Sequence, residues 1–190
     1  MSRLAIFGGA FDPIHNAHLA IAREAARQFR LDRVLFVPAA VPPHKRVNAP
    51  YEDRYRMVEL ALEGAGGGLE ASRLEADTAQ TYSIETIERL RPRLGPAEEL
   101  FFLIGADAFA EIRTWRRWRD VIEAVSFIVV SRPGHAYDIP EGARVYSLEG
   151  PAFPESSSQI RRILAEGGVP CSLPGAVLLY IRQRSLYTSP

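Results

Sequence analysis

Four short apolar runs, Leu4 to Phe7, Val34 to Val37, Leu100 to Ile104 and Val125 to Val130, punctuate this 190-residue chain, and none alternates with polar residues. Strands with one wet face alternate; runs of Val, Ile, Leu and Phe without alternation mark strands covered on both faces. Between the runs the apolar period lengthens to a helical one. Leu19, Ala22, Ala26 and Phe29 share one face after the first run, and Tyr55, Val58 and Leu62 share one after the second. Strand, helix, strand in repetition predicts an α/β fold on a parallel sheet with right-handed crossovers. Leu69 to Leu74 and Arg144 to Leu148 are weaker candidate strands, and Ser156 to Ala165 and Pro174 to Arg184 read as C-terminal helices, the first ending at Gly167-Gly168. No repeat or linker divides the sequence, so residues 1–190 are expected to form one domain.

Charge narrows the function classes. Lys plus Arg and Asp plus Glu number 23 each, which leaves no net charge to draw DNA, RNA or an anionic membrane, so any anion binding must be local. The lone Cys171 has no partner for a disulfide or a zinc site, and this fits a reducing compartment, the cytoplasm being the simplest. No apolar run approaches the roughly 20 residues of a membrane helix, and neither a signal peptide nor a membrane span is expected. Of the 23 basic residues only Lys45 is a lysine, within Pro42-Pro43-His44-Lys45, where a compact, mobile ammonium replaces the planar guanidinium used elsewhere.

In an open parallel sheet, ligands bind beyond the carboxyl ends of the strands. The first such turn reads Gly8-Gly9-Ala10-Phe11-Asp12-Pro13-Ile14-His15-Asn16-Ala17-His18. Gly8 and Gly9 permit close backbone approach and unusual dihedrals, and amides at the following helix start favour a phosphate. The spacing is not Gly-x-Gly-x-x-Gly, which counts against a dinucleotide-dependent dehydrogenase. His15 and His18, three apart at the helix start, can point at one anion. Protonated imidazoles there oppose the helix dipole, a broken local rule of the kind that marks function.

This turn resembles the Gly-Gly-(Ser/Thr)-Phe-Asp-Pro-x-His-x-Gly-His signature of the nucleotidyltransferase superfamily, most closely that of bacterial nicotinate-nucleotide adenylyltransferases. Ala10 stands where the signature has a hydroxyl residue, and Ala17 where it has glycine. The resemblance implies a Rossmann-like, doubly wound parallel sheet, with His15, His18 and Arg161 as catalytic residues and Gly8, Gly9, Ala10 and Phe11 in the substrate-binding turn.

Other segments agree in order along the chain. Pro42-Pro43-His44-Lys45 is similar to a phosphate-contacting loop of the family, which implies that His44 and Lys45 are ligands. Gly105-Ala106-Asp107 followed by Trp115 resembles the family's Gly-x-Asp and Trp region, implying Asp107 near a ribose and Trp115 against a pyridine ring. Ser156-Ser157-Ser158-Gln159-Ile160-Arg161 resembles the Ile-Ser-Ser-Thr-x-Ile-Arg triphosphate motif, with Glu155 and Ser158 as departures. It implies that Ser157, Ser158 and Arg161 hold the departing pyrophosphate. Thr81 and Tyr82 correspond to a segment beside the nicotinate.

The resemblance thus implies ATP and nicotinate mononucleotide as partners, with Mg2+ carried on the ATP phosphates by mostly water ligands. It implies no nucleic acid or membrane partner and a monomer or small homo-oligomer. Three rivals stay open at this point. One is a related transferase with another acceptor, such as pantetheine phosphate; another is a nucleotide sensor without catalysis. The third is a nucleic-acid platform made of the four Arg and two Trp between Arg113 and Arg119.

Overall fold

The computed structural model describes residues 2–42, 46–77, 82–131, 137–149 and 156–188. Its strands are β1 (Arg3–Gly9), β2 (Arg33–Pro38), β3 (Leu69–Ala71), β4 (Glu99–Gly105), β5 (Ser126–Ser131) and β6 (Arg144–Glu149). They form one sheet in the order β3-β2-β1-β4-β5-β6 with every pairing parallel. All strand ends therefore share one edge. The order reverses direction between β1 and β4, and that reversal opens a crevice beyond their carboxyl ends.

Among the described residues seven α-helices flank the sheet: α1 (Asn16–Phe29), α2 (Tyr51–Leu62), α3 (Ser83–Leu90), α4 (Ala106–Ala110), α5 (Trp118–Ala124), α6 (Ser157–Ala165) and α7 (Gly175–Gln183). Side chains alternate across each strand, so one sheet serves two cores. Ala5, Phe7, Val34, Phe36 and Leu103 pack with Leu19, Met57, Ile160 and Val177 of α1, α2, α6 and α7. Leu4, Ile6, Leu35, Phe102 and Ile104 pack with Ile84, Phe109 and Val121 of α3, α4 and α5 on the other face. Burial on both faces is the reason the strand sequences lack polar alternation.

Local details differ from the sequence expectations. On α1 the fully buried stripe is Leu19, Ala22 and Ala25, while Ala26 and Phe29 are only partly covered. β3 stops at Ala71, and Leu74 joins the core from a turn. On α2 the buried stripe includes a charge: Arg54 is fully buried beside Met57, Val58 and Ala61.

Candidate active site

β1 ends in Gly8 and Gly9, and the chain then turns through Ala10 to Pro13 into α1; the Asp12–Pro13 peptide is cis. The left-handed backbone falls on Phe11, at φ 47°, and on neither glycine. The need for glycine at position 9 is one of space. A Cβ there would stand 3.1 Å from the Phe11 ring, closer than ordinary packing allows. That ring is buried among Phe7, Phe36 and His18, at centroid distances of 5.6, 5.6 and 5.1 Å. Phe11 therefore serves as the floor under His18, and its ring offers a ligand almost no surface.

His15 is the N-cap of α1, and His18 sits three residues on. The backbone N–H of His15 donates to Nδ1 of His18 at 3.2 Å, in the manner of a capping-box side chain reaching back. An Nδ1 that accepts carries no hydrogen, so the neutral His18 ring bears its proton on Nε2. The two rings lie 4.0 Å apart between centroids. His18 thus caps the helix and also presents a donor edge; the structural and functional readings of this histidine are compatible.

The start of α6 meets this turn across 149 residues of sequence. Arg161 donates from Nη1 to the Asp12 carbonyl at 2.6 Å and from Nη2 to Ser158 Oγ at 3.2 Å. Ser157 Oγ donates to the Pro13 carbonyl at 3.0 Å. Ser156 caps the helix in a box with Gln159. The sequence pattern puts Arg161 and Arg162 in the first turn of this helix, where cations oppose its dipole and an anionic ligand would resolve the conflict; in the structure Arg161 lies in the second turn and Arg162 in the last, where a cation suits the dipole. Arg161 faces the turn because of its contacts with Asp12 and Ser158.

A cavity of about 670 Å³ opens beside the turn, walled by Gly8, Gly9 and Ala10 on one side and by Tyr82, Ile104 and Trp115 on another. Trp115 is half-buried and meets Phe102 edge-on at 5.9 Å. The Arg116 guanidinium lies 4.8 Å from the centroid of the Tyr82 ring. Asp107 is exposed in the first turn of α4, directly after Gly105 at the end of β4. His44, Lys45 and Thr81 lie outside the described residues. Among the described ones, then, the turn, the α6 start and the cavity share the carboxyl edge of the sheet. A second cavity, of about 560 Å³, lies at the opposite edge among the paired side chains of Arg3 and Glu99 and of Arg117 and Glu88.

Three of the four arginines in the Arg and Trp stretch face carboxylates. Arg113 pairs with Asp138, Arg116 with Glu85 at 3.4 Å, and Arg117 with Glu88 and Asp120, while Arg119 lies over the Trp118 ring.

Sequence reasoning passed over three groups here. Asp12, 3% exposed, accepts hydrogen bonds at Oδ2 from the backbone and side-chain nitrogens of Asn48, and at Oδ1 from Ala49 N and Tyr187 Oη. Arg54 spans three carbonyls, Ala49, Ala10 and Ala40, at 3.1, 2.7 and 3.1 Å, and burial pulls its pKa below the ordinary guanidinium value. Glu75, 5% exposed, lines the cavity and accepts from the Thr86 hydroxyl. Only Arg54 left a trace in the sequence, as a charge on an otherwise apolar helical stripe.

A family model described as cytidylyltransferase-like matches residues 6–163, and a Solibacter usitatus protein named "Probable nicotinate-nucleotide adenylyltransferase" is 60% identical over 97% of this chain and 99% of its own length. The chain belongs to the nicotinate-nucleotide adenylyltransferase family. A Thermus thermophilus relative of the same name is 43% identical over 97% of this chain and 99% of its own. The fold is similar to that of the Plasmodium falciparum nicotinic acid mononucleotide adenylyltransferase complexed with NaAD, at TM-score 0.82 and 19% identity over 98% of both chains. Family membership makes this chain a nucleotidyltransferase, a class of enzymes that generally need a divalent metal. Among the described residues no three His, Cys, Asp or Glu side chains converge on a metal position, and no helix is long and apolar enough to cross a membrane.

Proposed function

We propose that residues 1–190 act as one nucleotidyltransferase domain that transfers the adenylyl group of ATP to nicotinate mononucleotide, giving nicotinic acid adenine dinucleotide and pyrophosphate. The observation that carries this reading is the junction of α6 with the histidine turn. Arg161 on the Asp12 carbonyl and Ser157 on the Pro13 carbonyl bring donors from both ends of the chain to one rim. That rim borders the cavity walled by Trp115 and Tyr82. One nucleotide's phosphates would lie on the rim and the other's flat ring in the cavity.

The reaction needs no covalent enzyme intermediate. A phosphate oxygen of the mononucleotide bonds to the α-phosphorus of ATP as the bond from that phosphorus to the bridging oxygen breaks, and pyrophosphate departs with the bonding electrons. Catalysis then consists of alignment and of stabilising charge on the phosphoryl oxygens. His18, with its proton on Nε2, and the neighbouring His15 serve the α-phosphate. Ser157, Ser158, Arg161 and the first amides of α6 serve the leaving pyrophosphate. Asp107 is assigned to a ribose, Trp115 and Tyr82 to the pyridine ring, and Gly8, Gly9, Ala10 and Gly105 to backbone approach. His44 and Lys45 are assigned to a substrate phosphate, and Thr81 to the nicotinate. The side chains described build no cage for magnesium, which enters this reading as the counter-ion of the ATP phosphates with mostly water ligands. The neutral net charge and lone cysteine support a cytoplasmic enzyme without nucleic-acid or membrane partners; the assembly assigned to it is a monomer or small homo-oligomer.

Pyrophosphate release from ATP, measured with nicotinate mononucleotide, nicotinamide mononucleotide and pantetheine phosphate in turn, tests the assignment. Turnover should be fastest with nicotinate mononucleotide. Preference for pantetheine phosphate, or ATP binding without pyrophosphate release, would overturn it.

A further inference from the structure

We infer that Tyr187, from the turn after α7, is a positioning residue that keeps Arg161 available to the polyphosphate of ATP. This inference rests on the assignment of Arg161 to the leaving pyrophosphate. The argument begins with the Asp12 carboxylate, which is buried and offers about four lone-pair positions. Four donors reach it: Asn48 N at 2.7 Å, Asn48 Nδ2 at 3.1 Å, Ala49 N at 3.1 Å and Tyr187 Oη at 2.7 Å.

Arg161 and the buried Arg54 are both cations near Asp12; Arg54 spends its fork on three carbonyls, whereas Arg161 is the one that could form the two-pronged pair a guanidinium ordinarily makes with a buried carboxylate. Here it does not. Its Nη1 stays 3.8 Å from Asp12 Oδ2 and bonds instead to the Asp12 backbone carbonyl at 2.6 Å. With every acceptor position occupied, the carboxylate has no site for the fork, and Arg161 keeps an edge for an incoming anion.

The C-terminal segment is built to deliver that fourth donor. α7 is fastened to α2 through Asp53, which accepts from Tyr180 Oη at 2.8 Å and from Arg184 Nε at 3.2 Å. Leu186 N then closes on Ile181 O at 3.0 Å, and left-handed backbone at Ser185 and Tyr187, φ 50° and 60°, folds the chain back toward the turn. These conformations favour glycine, asparagine or aspartate, so holding serine and tyrosine in them has a cost that the surrounding contacts must offset. Burial, and after it the Asp12 charge, push the Tyr187 phenol well above its ordinary pKa, so it remains a neutral donor.

Steady-state kinetics on Tyr187→Phe, Arg161→Ala and the double variant decide the matter. Tyr187→Phe removes one hydroxyl, opens Oδ1, and lets Arg161 collapse onto Asp12. The KM for ATP and the inhibition constant of inorganic pyrophosphate should each rise about tenfold, the scale of one charge-assisted hydrogen bond, with the KM for nicotinate mononucleotide unchanged. Because Tyr187 acts through Arg161, adding Tyr187→Phe to Arg161→Ala should raise the KM for ATP no further. Calorimetric titration of folded Tyr187→Phe with pyrophosphate gives the same comparison without turnover. An ATP KM within twofold of wild type, equal losses toward both substrates, or additive effects in the double variant would overturn the role of Tyr187 while leaving Arg161 in place. No change in ATP KM for Arg161→Ala would remove the site assignment itself, and this inference with it.

Discussion

Arg54 is the largest fully buried side chain among the described residues, and replacing it by methionine tests whether a hidden cation organises the site from beneath. Its guanidinium donates to the carbonyls of Ala49, Ala10 and Ala40, one point on the histidine turn itself and two on the neighbouring loops. Methionine fills similar space but donates nothing. A buried carbonyl left without its donor costs about 1–3 kcal/mol. Ala10 and Ala40 are only half-buried and can recover water, which puts them at the low end; Ala49, 2% exposed, cannot. The variant recovers part of the penalty for burying a charge, but the Asp12 carboxylate loses one of its two neighbouring cations and keeps only Arg161. The net loss should be about 3–5 kcal/mol, the range for removing one partner of a buried charged network. For a chain of this size, at ~2–4 °C per kcal/mol, Tm should fall by about 10 °C. Urea and thermal denaturation followed by circular dichroism measure it, and kcat/KM well below both transitions should also drop as the Ala10 and Ala40 loops loosen. Arg54→Lys keeps the charge without the fork and should fall between the two. Stability of Arg54→Met within about 1 kcal/mol of wild type would refute the reasoning, since three bonds worth this little could not organise the loops.

Other variants address the chemistry. His18→Ala should lower turnover by roughly 100-fold or more, as expected for loss of one preorganised electrostatic donor, and unchanged kcat would remove His18 from the mechanism. Trp115→Ala should raise mainly the KM for the mononucleotide, because its ring lies in the cavity wall away from the histidine turn; an unaltered KM removes the stacking assignment. Burial pushes the Tyr51 phenol up to about 12, and its hydroxyl has no hydrogen-bond partner among the described residues. Below pH 10 both folded and unfolded states keep this proton; from pH 10 to 12 the unfolded state releases it first, so stability falls as pH rises. Tyr51→Phe should flatten that fall in denaturation midpoints measured from pH 10 to 12, and an equally steep fall would count against the burial argument.

Strand positions, the parallel sheet and the alternation of strands with helices were legible in the sequence because they depend on short-range periodicity. Leu4 to Phe7 or Leu100 to Ile104 can be covered on both faces only inside a layered fold. The histidine turn and the α6 start were legible as segments for a similar reason, since each is a local arrangement of a few adjacent residues. Some local inferences still misplaced their cause. The left-handed position belongs to Phe11, with glycine at 9 making room for its ring, and the helix dipole has no part in placing Arg161.

What tertiary structure alone decided is which distant groups meet. Asp12 joins Asn48, Arg161 and Tyr187, and Arg54 joins Ala10, Ala40 and Ala49. A buried carboxylate or guanidinium must find partners wherever the packed chain supplies them, and nothing in the spacing of residues 12, 161 and 187 encodes that Arg161 and Tyr187 each come within 3 Å of a polar atom of Asp12. Periodicity is written into neighbouring residues, whereas satisfaction of buried charge is settled only when the two cores close around the sheet.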